Sequence, residues 1–97
     1  KERTKNICLF LIIKSKKENT QQLHSLLNDL VTETRKEAAC VRYDLHHAEN
    51  VFIIWEEWKD QTGLDLHNNQ SHLQDFITKS ETFVAAPIQV YKTAQVL

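Results

Sequence analysis

Ile7-Cys8-Leu9-Phe10-Leu11-Ile12-Ile13 is an unbroken apolar run, rich in β-forming residues and closed by Asn6 on one side and Lys14 on the other. Side chains on a strand alternate between faces, so a strand without a polar face is buried on both, and the run reads as the central strand of a sheet. It is far too short to cross a bilayer, and no small-residue cleavage site follows it as a signal peptide would require. After it, Leu23, Leu26, Leu27, Leu30 and Val31 recur at the spacing of one buried helical stripe, and Asn19 or Thr20 can cap that helix, which is expected to run to about Ala38. Val41, Tyr43 and Leu45 alternate with Arg42, Asp44 and His46 as a strand with unlike faces. Val51 to Trp58 follows after a short connection, which implies an antiparallel hairpin.

Asp60 can cap a short helix to about His67, in which Gly63 costs roughly 1 kcal/mol relative to Ala. Ser71 with Gln74 has the capping-box spacing, and Leu73, Phe76, Ile77 and Phe83 lie on or near one stripe of a further helix. Beyond Pro87, Ile88, Val90, Ala94 and Val96 alternate as a last strand. The order βαββαβ is that of a ferredoxin-like α+β fold, a four-stranded antiparallel sheet with its helices on one face. The other face then carries Cys8, Phe10 and Ile12, together with either Phe52 and Ile54 or Val51, Ile53 and Trp55. Soluble monomers rarely expose such a patch. Covering about 500 Å² of it would stabilise on the order of 10 kcal/mol before association costs, so a homodimer is expected.

The 97 residues fit one domain with one core, 41% hydrophobic and 26% charged, as in globular chains. The domain is expected over 1–97, with residues 1–5 as a flexible terminus on a chain trimmed at its start, since it contains no Met. Twelve basic residues against thirteen acidic ones, without a basic stripe, exclude nucleic acid and anionic membrane as expected partners. Cys8 and Cys40 lack metal-ligand spacing and read as buried, unpaired hydrophobes. A cytoplasmic location follows by default.

Trp55-Glu56-Glu57-Trp58-Lys59-Asp60, followed by Leu64, His67, Ser71-His72 and Phe76, resembles the signature of the antibiotic-biosynthesis-monooxygenase family, and Cys40-Val41-Arg42-Tyr43-Asp44 resembles its second-strand opening. The resemblance covers nearly the whole chain. It implies a dimeric α+β barrel with a small-molecule pocket, and a reaction drawn from several: cofactor-free oxygenation of quinol-like aromatics, isomerisation of a phosphorylated sugar, or haem degradation. The last is a poor match, because His67 and Ile77 stand where the haem-degrading branch carries a Trp and a His. Ala38-Ala39 also departs from the family, which usually has a Gly there, a residue suited to a left-handed turn.

The residues themselves offer His67 and His72 as candidate general bases for a phenolic or enolic proton. Their spacing of five does not match a helical metal pair, and no metal or other cofactor is expected. Glu56 and Trp58 share one strand face, Tyr43 can offer its hydroxyl, and Phe76, Phe10 and Ile12 complete an expected apolar lining for the substrate. Core packing and ion pairing are the competing explanations for Trp58, Tyr43 and Glu56. The expected function is a cofactor-independent monooxygenase of a small aromatic or enolisable substrate. The alternatives are a non-catalytic binding or stress-related module, or an isomerase of a phosphorylated ligand held by Arg42 or Lys59.

Overall fold

The computed structural model describes residues 6–97, and the expected flexible terminus at residues 1–5 lies outside the described residues. Strand β1 (Ile7–Lys14) leads through a 3-10 turn to helix α1 (Thr20–Thr34); strands β2 (Cys40–Ala48) and β3 (Val51–Trp58), helices α2 (Gln61–Asn68) and α3 (Ser71–Ser80), and strand β4 (Gln89–Thr93) follow. The sheet order is β2-β3-β1-β4, with every neighbouring pair antiparallel. The ferredoxin-like α+β fold expected from the sequence is thus the fold observed. The doubly apolar run Ile7–Ile13 is an interior strand, as its composition requires.

The helices cover the face bearing Leu9, Ile13, Phe52, Ile54 and Trp58, all buried, and α1 sets Leu23, Leu27 and Leu30 against it. Each such Leu contributes roughly 1.5–3 kcal/mol by leaving water. The register decides the alternative left open for β3. Phe10 pairs with Trp55 and Tyr91, and Ile12 with Ile53, so Val51, Ile53 and Trp55 join Phe10 and Ile12 on the uncovered face. There Phe10 stacks on Trp55 with ring centroids 5.6 Å apart, and the Arg42 guanidinium lies 4.1 Å from the centre of the Trp55 ring. Among the described residues, no helix is long and apolar enough to cross a membrane.

Four local expectations are corrected. Helix α1 stops at Thr34, not near Ala38, because the N–H groups of Lys36 and Glu37 turn back to the carbonyls of Glu33 and Thr34 in tight three-residue steps. Ser71 does not cap α3: it is already the first helical residue, Gln70 holds the cap position, and the Gln74 side chain donates to the Asn68 carbonyl instead. Phe83 lies beyond that helix, its carbonyl accepting from Lys16 N–H, and β4 ends at Thr93, short of Ala94 and Val96. The Asp60 cap forms as expected, its carboxylate accepting from Gly63 N–H at 2.7 Å. The turn at Ala38-Ala39 uses no left-handed backbone, and Glu49, in the β2–β3 turn, is the one non-glycine residue with positive φ among those described.

Gly63 has a steric reason for its place in α2. A Cβ there would overlap the Cβ of Ala39, so a side-chain-free residue lets the loop after α1 lie directly on α2. Lys59 N–H donates to the Ala39 carbonyl at 3.0 Å and pins the same contact. Gly63→Ala is therefore expected to lower stability by about 1–3 kcal/mol through overpacking, although Ala is the better helix former by about 1 kcal/mol. Urea unfolding measures this, and an unchanged or higher midpoint would contradict the close approach.

Candidate active site

The contact between Ala39 and Gly63 carries Glu37 to the helices. Glu37 Oε2 lies 2.7 Å from His67 Nδ1, near the end of α2, and 2.8 Å from His72 Nε2, in the first turn of α3. One carboxylate oxygen thus accepts from two imidazoles, and the cluster is largely enclosed, with side-chain exposures of 11% for Glu37, 3% for His67 and 19% for His72. A hydrogen bond at Nδ1 fixes the tautomer of His67 and leaves Nε2 as its free nitrogen. Burial pushes the His67 pKa below its ordinary value, although the Glu37 hydrogen bond and charge act the other way. The ring is therefore neutral near pH 7.

His67 forms part of the wall of a cavity of about 360 Å³ between the sheet and the helices, within the usual size range for small-ligand pockets. The sheet contributes Leu9, Leu11, Tyr43, Glu56 and Val90; the helices contribute Leu30, His67, Asn68, Leu73, Phe76 and Ile77; Ile88 closes one side. No Lys or Arg lines it. Its polar groups gather on the side where β2 and β3 meet α2.

Glu56 is the buried acid of that side. Its Oε1 accepts from Trp58 Nε1 at 2.7 Å, and the indole lies against His67 with ring centroids 4.5 Å apart. Burial pushes the Glu56 pKa up to about 7; the Trp58 N–H opposes this and the Glu37 charge adds to it. Burial, then the Glu56 charge, also raises the Tyr43 phenol well above its ordinary value, so it stays protonated. The Tyr43 and Thr34 hydroxyls are buried without a hydrogen bond of good geometry, although Thr34 is near enough to lower the phenol's pKa somewhat.

The structure gathers most of the residues singled out from the sequence, but not all. Glu56, Tyr43, His67 and Phe76 line the cavity, and Trp58 is fully buried behind it, holding Glu56 and packing on His67. Phe10 and Ile12 do not line it: strand alternation puts them on the uncovered face, while their neighbours Leu9 and Leu11 point inward. His72 faces a separate groove with Asp29, Glu33, Asp75 and Lys79, and it reaches the cavity only through Glu37 and His67. Arg42 sits over Trp55 and neither it nor Lys59 lines the cavity, so a phosphorylated ligand finds no cationic end there. Glu37 was not singled out, because 30 residues separate it from His67 and it stands in no motif with either histidine. The donor atoms of Glu37, His67 and His72 lie within 4.8 Å of one another and form the one three-residue group suited to a metal ion among the described residues.

Residues 7–79 match the family pattern described as antibiotic biosynthesis monooxygenase. The chain belongs to this family. It is 34% identical over 90 residues to YcnE of Bacillus subtilis (strain 168), which carries the name of a candidate monooxygenase; the match spans 90% of this chain and 95% of YcnE. The crystal structure of PA3566 from Pseudomonas aeruginosa superposes with a TM-score of 0.89 at 25% identity, over the full length of both chains. Rv0793 from Mycobacterium tuberculosis gives the same TM-score at 20% identity, covering 94% of this chain and 95% of that one, a likeness of fold.

Glu56 makes a stability prediction with a definite sign. Its folded pKa of about 7 lies above the ordinary 4.5, so the folded protein holds a proton that the unfolded chain gives up. Stability is therefore full below about pH 4.5, falls as pH rises through 7, and levels off above it. A displacement of this size corresponds to roughly 3 kcal/mol. Glu56→Gln, which can still accept from Trp58, is expected to flatten the pH 5–8 dependence in denaturant titrations; an undiminished slope would place the titrating group elsewhere.

Proposed function

We propose that the chain is a monooxygenase of small, uncharged aromatic or enolisable substrates of the hydroquinone type, with His67 as general base. The observation that carries this reading is a buried imidazole, held at Nδ1 by Glu37, on the wall of a largely apolar cavity. Nε2 can take a phenolic proton, and the phenolate so formed is electron-rich enough to give an electron to dioxygen. A hydroquinone and dioxygen then yield a hydroxyquinone and water, the substrate supplying every electron, so the balance calls for no cofactor. Glu56, about half protonated near pH 7, and the Tyr43 hydroxyl can meet a second oxygen of the substrate, and the apolar walls exclude water from the reduced oxygen species. Family membership and the likeness to YcnE support the reaction class.

His67→Ala is expected to lower turnover of a hydroquinone by about 10²-fold or more in an oxygen-electrode assay, the lower end for loss of a general base. Full activity in His67→Ala rules out the assignment. His72→Ala is expected to cost less, because His72 does not line the cavity.

We further propose that the uncovered sheet face pairs with a second copy. Phe10, Ile12, Ile53, Trp55 and Tyr91 lie together there, and Trp55 and Tyr91 remain 36% and 52% exposed in the single chain. Sedimentation at micromolar concentration is expected to give twice the chain mass. Phe10→Asp is expected to split the dimer, since a carboxylate buried without a partner costs several kcal/mol. A folded wild-type monomer would remove this reading.

A further inference from the structure

Glu37 is a largely enclosed carboxylate whose partners among the described residues are two imidazoles. The cations closest to it in sequence are engaged elsewhere, Arg35 with Asp44 and Lys36 with Glu33. Hydrogen bonds from imidazoles do not by themselves neutralise an enclosed carboxylate, and a buried anion without a compensating cation is unfavourable. The site also has an approach from solvent. His72 opens onto a groove lined by Asp29, Glu33 and Asp75 against the single cation Lys79, an excess of acid that draws cations toward its mouth.

The three donor atoms come from separate segments, the loop after α1, the end of α2 and the start of α3, and the Glu37 oxygen lies 2.7 and 2.8 Å from the two nitrogens. Donors bound tetrahedrally at about 2.0–2.1 Å from a metal lie roughly 3.3 Å apart, so the two oxygen–nitrogen edges need to open by about half an ångström while the nitrogen–nitrogen edge, within 4.8 Å, settles to the same length. His72, the most exposed of the three side chains, is the one with room to move. Two imidazole nitrogens and one carboxylate suit zinc-class ions rather than magnesium or calcium, which prefer oxygen donors throughout.

We propose that Glu37, His67 and His72 bind one divalent transition-metal ion of the zinc class, and that occupancy switches off the His67 base. The second half rests on the function proposed above. A metal on His67 Nδ1 moves the ring proton to Nε2, and a metal on His72 Nε2 moves that proton to Nδ1, so two neutral rings release no net proton. Nε2 of His67, the nitrogen left for the cavity, then donates a hydrogen bond and has no lone pair for a substrate proton.

The test is a titration of chelator-stripped protein with Co²⁺, followed by its visible absorption, and with Zn²⁺ in a calorimeter. One equivalent per chain is expected to bind at micromolar or tighter affinity. Glu37→Gln and His72→Ala are each expected to weaken it about tenfold or more, and the double variant His24→Ala, His47→Ala, which removes the stacked pair elsewhere on the surface, to leave it unchanged. His72→Asn, at a part-exposed position, provides a milder variant if Glu37→Gln disturbs the loop. No binding at about 100 μM, or undiminished affinity in both His72 variants, overturns the site. In the hydroquinone assay one equivalent of Zn²⁺ is expected to cut turnover at least tenfold, with recovery on chelation; binding that leaves turnover intact overturns the switch. Metal-free protein that never turns over a hydroquinone counts against the proposed function, and the Co²⁺ titration still decides the site.

Discussion

A single carboxylate oxygen ties the loop after α1 to the two short helices, α2 and α3, that help to wall the cavity. Glu37 Oε2 accepts from His67 on α2 and from His72 on α3, and it stands in the loop that leaves α1. Without it two largely buried imidazoles would lose the acceptor that sets their tautomers, and an unmet buried polar group costs about 1–3 kcal/mol. The arrangement depends in turn on how near the loop can come. Only a residue without a side chain at position 63 admits Ala39, and that approach brings Glu37 within hydrogen-bond reach of both helices. A steric detail in one short helix thus precedes the electrostatics of the site.

The fold was legible because its signal is hydrophobic periodicity, which depends on residues close in sequence. Ile7–Ile13 reads as an interior strand from its composition alone, and the alternation of β2 and the stripe of α1 supply the layers that cover it. Features set by contacts across the sequence were not legible. The end of α1 follows from three-residue turns that reshape the chain toward α2, and Gln70 displaces Ser71 from the cap because the chain arrives there from Asn69 already turned. Neither outcome is a property of the local residues.

For the site the same division holds. Glu56, Trp58 and His67 were legible from their motif, and strand alternation correctly put the first two on one face. Phe10 and Ile12 were misplaced because an unbroken apolar run does not reveal which of its two faces meets helices and which is left uncovered; pairing with β3 and β4 decides that. Glu37 could not be found, since glutamates near the end of an amphipathic helix ordinarily face water. The signal available was indirect: two histidines close together near helix ends and inside an apolar layer require an acceptor, and an acid in the loop facing them is the simplest source.

The sheet keeps chemistry and surface apart by strand alternation. On β3, Glu56 and Trp58 face the helices while Trp55 and Glu57 face away; on β2, Tyr43 points inward beside Arg42 and Asp44, which form an ion pair at 2.7 Å on the other side. Each strand therefore carries two programmes one residue apart, and a slip of one residue would exchange them. Arg42 over Trp55 and the stack of Phe10 on Trp55 give the outer face its own cross-strand contacts, which resist such a slip without any group in the cavity. On the inner face the packing of Trp58 on His67 acts to the same end. The register that positions Glu56 near His67 is thus held from both sides of the sheet.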